Sequence, residues 1–125
     1  MMAKSLTQNG AEAAVEELNG SVHAVDLHLE VEKRFVRLRD EWKVQRRHES
    51  STLKVVLLPA YQQIIGMGPA AVPLLLRELE TNVDNWFWAL MAITGEDPVP
   101  EEMRGDGQAM AQAWLAWGKE RGYQW

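Results

Sequence analysis

Apolar residues recur at helical spacing along most of this chain, and short polar breaks separate one apolar stripe from the next. From about Asp26 to His48 the apolar positions are spaced by four, four, three and four residues, which predicts one long amphipathic helix. Asp26 is the expected N-cap of this helix. A short strand also fits the LHLEV alternation, but the chain offers no second strand to pair with it. The predicted buried stripe is Leu27, Val31, Phe35, Leu38 and Trp42.

Proline, glycine and small polar residues then predict three shorter helices. Ser50 and Ser51 mark the start of the first, and Pro59 ends it and opens the second, because proline suits the first helical turn. Pro69 opens the third, which carries a wide apolar stripe. The predicted apolar positions of these helices are Leu53, Val56, Leu57, Val72, Leu75, Leu76 and Leu79.

Two further helices are predicted in the C-terminal part. Asp84 is the expected N-cap of a helix over Asn85 to Thr94, and Gly95 is its expected end. Asp106 is the expected N-cap of the last helix, whose stripe is Met110, Trp114 and Trp117. The pattern as a whole predicts an all-α domain over residues 26–125, a compact bundle of about five or six helices in antiparallel pairs. Residues 1–25 are small, polar and acidic, and we expect a flexible or weakly ordered segment there.

The run AVPLLLREL from Ala71 to Leu79, followed by a turn and WFWALMAITG, resembles a HEAT-like helical repeat. The matching positions are Val72, Pro73, Leu75 and Leu79 in the first helix, and Ala89, Leu90, Ile93 and Gly95 in the second. The resemblance covers about a third of the chain in a single copy, and the wider sequence also looks like short bacterial proteins of unassigned function. It implies a compact HEAT-like fold and no particular activity.

Composition narrows the class of protein. The formal net charge is −5, and the charge is −4 over residues 1–30, +3 over 31–50 and −4 over 51–125. An acidic body disfavours strong non-specific binding to nucleic acid, which depends on neutralising phosphates. There are no cysteines, which excludes disulfides and thiolate sites, and no apolar run is long enough to span a membrane. The N-terminal residues lack the pattern of a signal peptide, so we expect a cytoplasmic protein.

Six tryptophans in 125 residues are the strongest candidates for a binding surface. Trp86 and Trp88 point to nearly opposite sides of one helix, so one of them can join the core while the other faces something else. The simpler expectation is that Trp88 packs under the last helix. The alternative is that Trp88 is exposed as an anchor for a protein partner, because tryptophan is enriched at binding hot spots. The candidate partner-binding residues are Trp88, Met91, Trp42 and Arg77.

The segment KRFVRLRDEWKVQRR supports an alternative, a helix face that meets nucleic acid. Its candidate residues are Lys33, Arg34, Arg37, Lys43, Arg46 and Arg47. Four acidic residues are interleaved with them, and the simpler interpretation is a solvated face with ion pairs within the helix.

No arrangement of residues indicates catalysis or metal binding. His23 and His28 are five residues apart and share no helical face, and neither a catalytic serine motif nor a phosphate-binding loop is present. The acidic loop around Glu96 and Glu101 is interrupted by prolines and lacks calcium-loop spacing. We therefore expect no enzyme activity, no cofactor and no small-molecule substrate. The sequence favours a protein–protein interaction module, such as an inhibitor, an antitoxin-like protein or an adaptor, with self-association as another form of partner binding.

Overall fold

The computed structural model describes the backbone from Leu6 to Trp125 and the side chains from Ala24 to Trp125. Over these residues the chain is all-α, as predicted, with six α-helices and no strand. They are α1 (Leu6–Gln45), α2 (Thr52–Val56), α3 (Pro59–Gly66), α4 (Val72–Thr81), α5 (Phe87–Thr94) and α6 (Gly107–Glu120). Short 3-10 turns at Gly68–Ala71 and Glu101–Met103 precede α4 and α6.

The chain divides into two compact units, Met1–Lys33 and Arg34–Trp125. Helix α1 begins at Leu6, so Asp26 lies within the helix and is not its N-cap. Leu27 is 53% exposed, which contradicts its predicted place in the buried stripe. The flexible or weakly ordered segment predicted for residues 1–25 stays a prediction, because the side chains of residues 1–23 lie outside the described part of the chain.

Four aromatic rings form the centre of the Arg34–Trp125 unit. Trp86 lies 4.5 Å from Trp42, 5.6 Å from Tyr61 and 6.0 Å from Phe35, measured between ring centroids. All four side chains are fully buried. Aromatic pairs at such distances stabilise a core beyond the area they bury, by about 0.5–1.5 kcal/mol each. This cluster joins the C-terminal part of α1 to α3 and to the residue that precedes α5.

Helix α3 packs mainly on α5, and α4 packs mainly on α6. Close approach of α6 to α4 depends on Gly118, because a Cβ atom there would lie 2.7 Å from Leu76 and 2.9 Å from the ring of Trp125. Such distances are shorter than ordinary van der Waals contact, so a larger residue at position 118 would force the side chains of Leu76 and Trp125, or the helices themselves, to shift.

Several predicted helix ends are confirmed. The Ser51 hydroxyl accepts a hydrogen bond from the backbone N–H of Lys54 at 3.4 Å, and the Asp106 carboxylate accepts one from Ala109 at 3.1 Å. Pro59 is the first residue of α3. Gly95 ends α5 in the left-handed conformation, with φ of 72°, which favours glycine.

Candidate functional site

Trp88 is the tryptophan that the structure leaves exposed. Its side chain is 47% exposed, whereas Trp42, Trp86 and Trp114 are fully buried and Trp117 is 7% exposed. The simpler expectation, that Trp88 packs under the last helix, is therefore wrong, because α6 packs mainly on α4. Its position on α5 remains available to a partner.

The surface around Trp88 is apolar because α5 is apolar on all sides. Thr94 is the only polar residue of the helix, and it lies at the C-terminal end. Ala89 and Leu90 are buried on the inner side, while Ala92 is exposed and Met91 is partly exposed. We refer to Trp88, Met91 and Ala92 as the α5 face. A helix that is apolar on all sides is normally buried on all sides. The α5 face is the part of α5 that remains exposed.

Tyr61 of α3 fixes the position of α5. Its hydroxyl donates a hydrogen bond to the carbonyl of Asn85 at 3.0 Å and accepts one from the backbone N–H of Ala89 at 2.9 Å. Ala89 is the third residue of α5, so its N–H has no acceptor within the helix, and the Tyr61 hydroxyl supplies one and links it to the carbonyl of Asn85. Burial raises the pKa of Tyr61, because an ionised phenolate would lose its hydration.

A second anchor holds the segment that precedes α5. The guanidinium of Arg46 binds both carboxylate oxygens of Asp84, at 2.7 and 3.0 Å, and lies 4.2 Å from the centre of the Trp42 ring. Asp84 was predicted to be the N-cap of α5, and this prediction is wrong. The N-cap residue is Trp86, which has no side-chain capping bond, and Tyr61 supplies the missing acceptor.

Two other candidate partner-binding residues lie elsewhere. Trp42 is fully buried, and its indole N–H donates a hydrogen bond to the carbonyl of Val55 at 2.9 Å. Its large side chain belongs to the core and offers no surface to a partner, so its assignment to a binding surface is wrong. Arg77 is partly exposed on α4 and does not belong to the α5 face.

Three of the six candidate nucleic-acid residues form an ion pair with an acidic residue. Lys33 lies 3.7 Å from Glu30, and Arg37 lies 3.7 Å from Glu41. Both pairs are largely exposed and contribute little to stability. Arg46 is bound to Asp84 as described above. These contacts reduce the charge that remains available to phosphates.

The other basic candidates are Arg34, Lys43 and Arg47. Arg34 and Arg47 are exposed and Lys43 is partly exposed. Lys43, Arg46 and Arg47 border a shallow recess of about 420 Å³ at the end of α1, which Glu49 also lines.

The sequence did not predict the apolar groove that runs along α6. It has a volume of about 670 Å³, and its walls include Pro98, Pro100 and Met103 on one side and Ala113 of α6 on the other. The alanines at positions 109, 113 and 116 recur at helical spacing and were the signal that could have indicated a smooth, shallow helix face.

Glu96 and Arg121 of the same region form an ion pair. Arg121 donates a hydrogen bond to Glu96 Oε2 at 2.6 Å, and the indole N–H of Trp117 donates to Glu96 Oε1 at 3.3 Å. The hydrogen bond from Arg121 holds the pKa of Glu96 below its usual value. Among residues 24–125, no group of three or more histidine, aspartate or glutamate side chains is arranged to hold a metal ion.

Comparisons with protein-family models, with curated proteins and with solved structures find no match for this chain. The HEAT-like resemblance therefore stays a prediction. Within the described part of the chain, no helix combines the length and the apolar character that crossing a membrane would need.

Proposed function

We propose that this chain is a non-enzymatic protein–protein interaction module of the cytoplasm, with a HEAT-like fold, and that it acts as an inhibitor, antitoxin-like protein or adaptor. The observation that carries the proposal is the exposure of Trp88 on a helix that has almost no polar residue. The α5 face is the surface proposed to meet the partner.

The energetic argument rests on the size and rigidity of this surface. A tryptophan side chain buries roughly 150–250 Å² when it is fully covered, so a partner that covers the exposed half of Trp88 removes a substantial apolar area from water. Tryptophan is also among the residues most often found at binding hot spots. Because Tyr61 and the buried Trp86 hold α5 in place, little conformational entropy is lost when the partner binds.

The test compares Trp88→Ala with Leu53→Ala, which removes a similarly exposed apolar side chain from α2. Leu53 is 60% exposed and lies outside the α5 face. Each purified variant and the wild type are used to capture proteins from cells that make this chain, and the affinity for the captured partner is then measured. We expect Trp88→Ala to weaken binding by roughly thirtyfold or more, corresponding to a hot spot of about 2 kcal/mol, and Leu53→Ala to have little effect.

Thermal unfolding of both variants provides the control for folding. Because Trp88 is half exposed, we expect its replacement to change stability little. Equal loss of binding in both variants, or full binding by Trp88→Ala, would contradict the proposed role of the α5 face.

The second candidate function is a nucleic-acid-associated regulator, and the observation that favours it is the recess bordered by Lys43 and Arg47. Phosphate contacts are strongest at low salt, so binding to a random DNA duplex at about 50 mM salt is the deciding measurement. If this function is correct, Lys43→Gln combined with Arg47→Gln should weaken binding and reduce its salt dependence. No binding by the wild type under these conditions would exclude it.

A further inference from the structure

The apolar groove along α6 lies between two walls of different kinds. One wall is a face of α6 that carries alanines four and three residues apart. The other wall is the loop that precedes α6, which contributes two proline rings and a methionine. We refer to the recess between these walls as the α6 groove. Its walls include Ala109, Ala113 and Ala116 of α6 and Pro98, Pro100 and Met103 of the loop.

The shape of the α6 groove suits a helix. The distance between the axes of two packed helices depends on the side chains at the contact, and alanine allows the lower end of the usual range of about 8–10 Å. The volume of about 670 Å³ is enough for a few large side chains from one face of a partner helix. Met103 can adapt to them, because a methionine side chain is unbranched and flexible.

The loop wall is held in place before any partner binds. Val99, between the two prolines of this wall, is only 6% exposed and so anchors the loop to the core. The Asp97 carboxylate accepts a hydrogen bond from the backbone N–H of Val99 at 3.2 Å and another from the guanidinium of Arg104. Because these contacts fix the wall, binding of a helix costs little conformational entropy in the groove.

The border of the α6 groove is acidic. Glu120 lines the groove near the C-terminal end of α6, and Glu101 and Glu102 lie between two of the loop residues that form its wall. All three side chains are exposed. Within residues 24–125, none of these three carboxylates takes part in an ion pair. Their charge is therefore available to a partner.

The nearby basic residues do not offset this charge. Arg104 is bound to Asp97, and Arg121 is bound to Glu96. Lys119 borders a separate recess of α6. The α6 groove therefore combines an apolar floor with a negative border, and a complementary partner needs an apolar face flanked by positive charges.

We propose that the α6 groove binds a basic amphipathic helix of a protein partner. The apolar face of that helix lies between the alanines of α6 and the loop wall, and its lysine or arginine side chains meet the acidic border. The inference goes beyond the proposed function, because it assigns a second surface and the chemistry of its partner. The α6 groove and the α5 face have no residue in common.

The probe is a fluorescently labelled peptide of about 18 residues, long enough to form a helix, made of leucine, alanine and lysine with one apolar face. One comparison peptide has glutamate in place of lysine. Another has the same composition in a shuffled order without an apolar face. We expect fluorescence anisotropy to give a dissociation constant on the order of 10–100 μM for the basic amphipathic peptide at about 50 mM salt, and much weaker binding of the other two.

Two matched pairs of substitutions in the full-length chain locate the binding site. Glu120→Lys reverses a charge at the groove, and Asp26→Lys makes the same change at an exposed position of α1. Met103→Gln makes the loop wall polar, and Leu53→Gln makes the same kind of change on α2. We expect Glu120→Lys and Met103→Gln each to weaken binding roughly fivefold or more, and the two controls to have little effect.

Absence of binding by the basic amphipathic peptide would overturn the proposal. Equal binding of the acidic peptide would show that charge is not recognised, and equal binding of the shuffled peptide would show that the apolar groove is not used. Binding that Glu120→Lys and Met103→Gln leave intact would place the peptide elsewhere. Trp88→Ala should leave peptide binding unchanged. A loss of binding in this variant would assign the peptide to the α5 face, so failure of this proposal is distinguishable from failure of the proposed function.

Discussion

Replacing Tyr61 by phenylalanine tests how α5, and with it the α5 face, is held in place. The substitution keeps the ring in the aromatic cluster but removes the hydroxyl between the carbonyl of Asn85 and the N–H of Ala89. The bond from Ala89 is buried, and leaving such a donor without an acceptor costs about 1–3 kcal/mol. We expect a loss of about 2 kcal/mol in the free energy of unfolding. At roughly 4–8 °C per kcal/mol for a domain of this size, the midpoint of thermal unfolding should fall by about 8–16 °C.

Urea unfolding followed by circular dichroism gives the free energy directly. The matched control is Tyr123→Phe, which removes a hydroxyl from a partly exposed ring and should change stability by less than about 0.5 kcal/mol. If Tyr61→Phe costs as little as this control, the N–H of Ala89 must bond directly to the carbonyl of Asn85 in the variant. The inserted hydroxyl would then not be needed to hold α5, and this reasoning would be refuted.

Three other predictions concern the stability of the Arg34–Trp125 unit. Folding raises the pKa of Tyr61, so the folded state holds the phenol proton more tightly than the unfolded state does. The free energy of unfolding should therefore fall as the pH rises above about 10, where the unfolded tyrosine ionises. In urea titrations at high pH, Tyr61→Phe should lose the contribution of this group to the fall. Gly118→Ala should lower the free energy of unfolding by about 1–3 kcal/mol, because the added Cβ overpacks the contact. Gly107→Ala should be neutral or slightly stabilising, because a Cβ there lies at an ordinary 3.6 Å from the side chain of Val83; equal thermal midpoints for the two variants would contradict this. Trp42→Phe should lower the free energy of unfolding by about 1 kcal/mol more than Trp86→Phe does. The reason is that the indole N–H of Trp42 has an acceptor, whereas that of Trp86 has none among the described residues. A larger loss for Trp86→Phe in chemical unfolding would count against this.

Local patterns in the sequence predicted the parts of the fold that depend on neighbouring residues. The spacing of Phe35, Leu38 and Trp42 predicted their burial, which is confirmed. Gly95 and Asp106 were correctly assigned as a helix end and a helix cap, because these roles depend on a residue and its next few neighbours. The all-α class follows from the same short-range periodicity.

The errors arose where distant residues decide the outcome. Asp84 has a suitable position for an N-cap, but Arg46, 38 residues earlier, binds its carboxylate. Trp88 was expected to lie under the last helix, and nothing in the local pattern shows that α6 packs mainly on α4 instead. Leu53 of α2 and Leu57, the residue after α2, were predicted to lie on an apolar stripe, but both are exposed. The buried residues of α2 are Val55 and Val56.

The candidate site was therefore predictable only in part. The sequence indicated that Trp86 and Trp88 face opposite sides, which is confirmed because Trp86 is buried and Trp88 is exposed. It did not indicate that Tyr61 completes the first turn of α5, since that contact joins residues 28 positions apart. Such contacts depend on the packing of whole helices, which a single sequence does not reveal.

Fluorescence quenching of Trp88 tests the central claim most directly, because Trp88 is the most exposed of the six tryptophans, all of which are described. The difference between wild type and Trp88→Phe isolates the signal of this residue. Iodide should quench it in the free protein, and a saturating amount of the captured partner should abolish that quenching. If Trp88 is quenched equally with and without bound partner, the α5 face is not the binding surface and the account is contradicted.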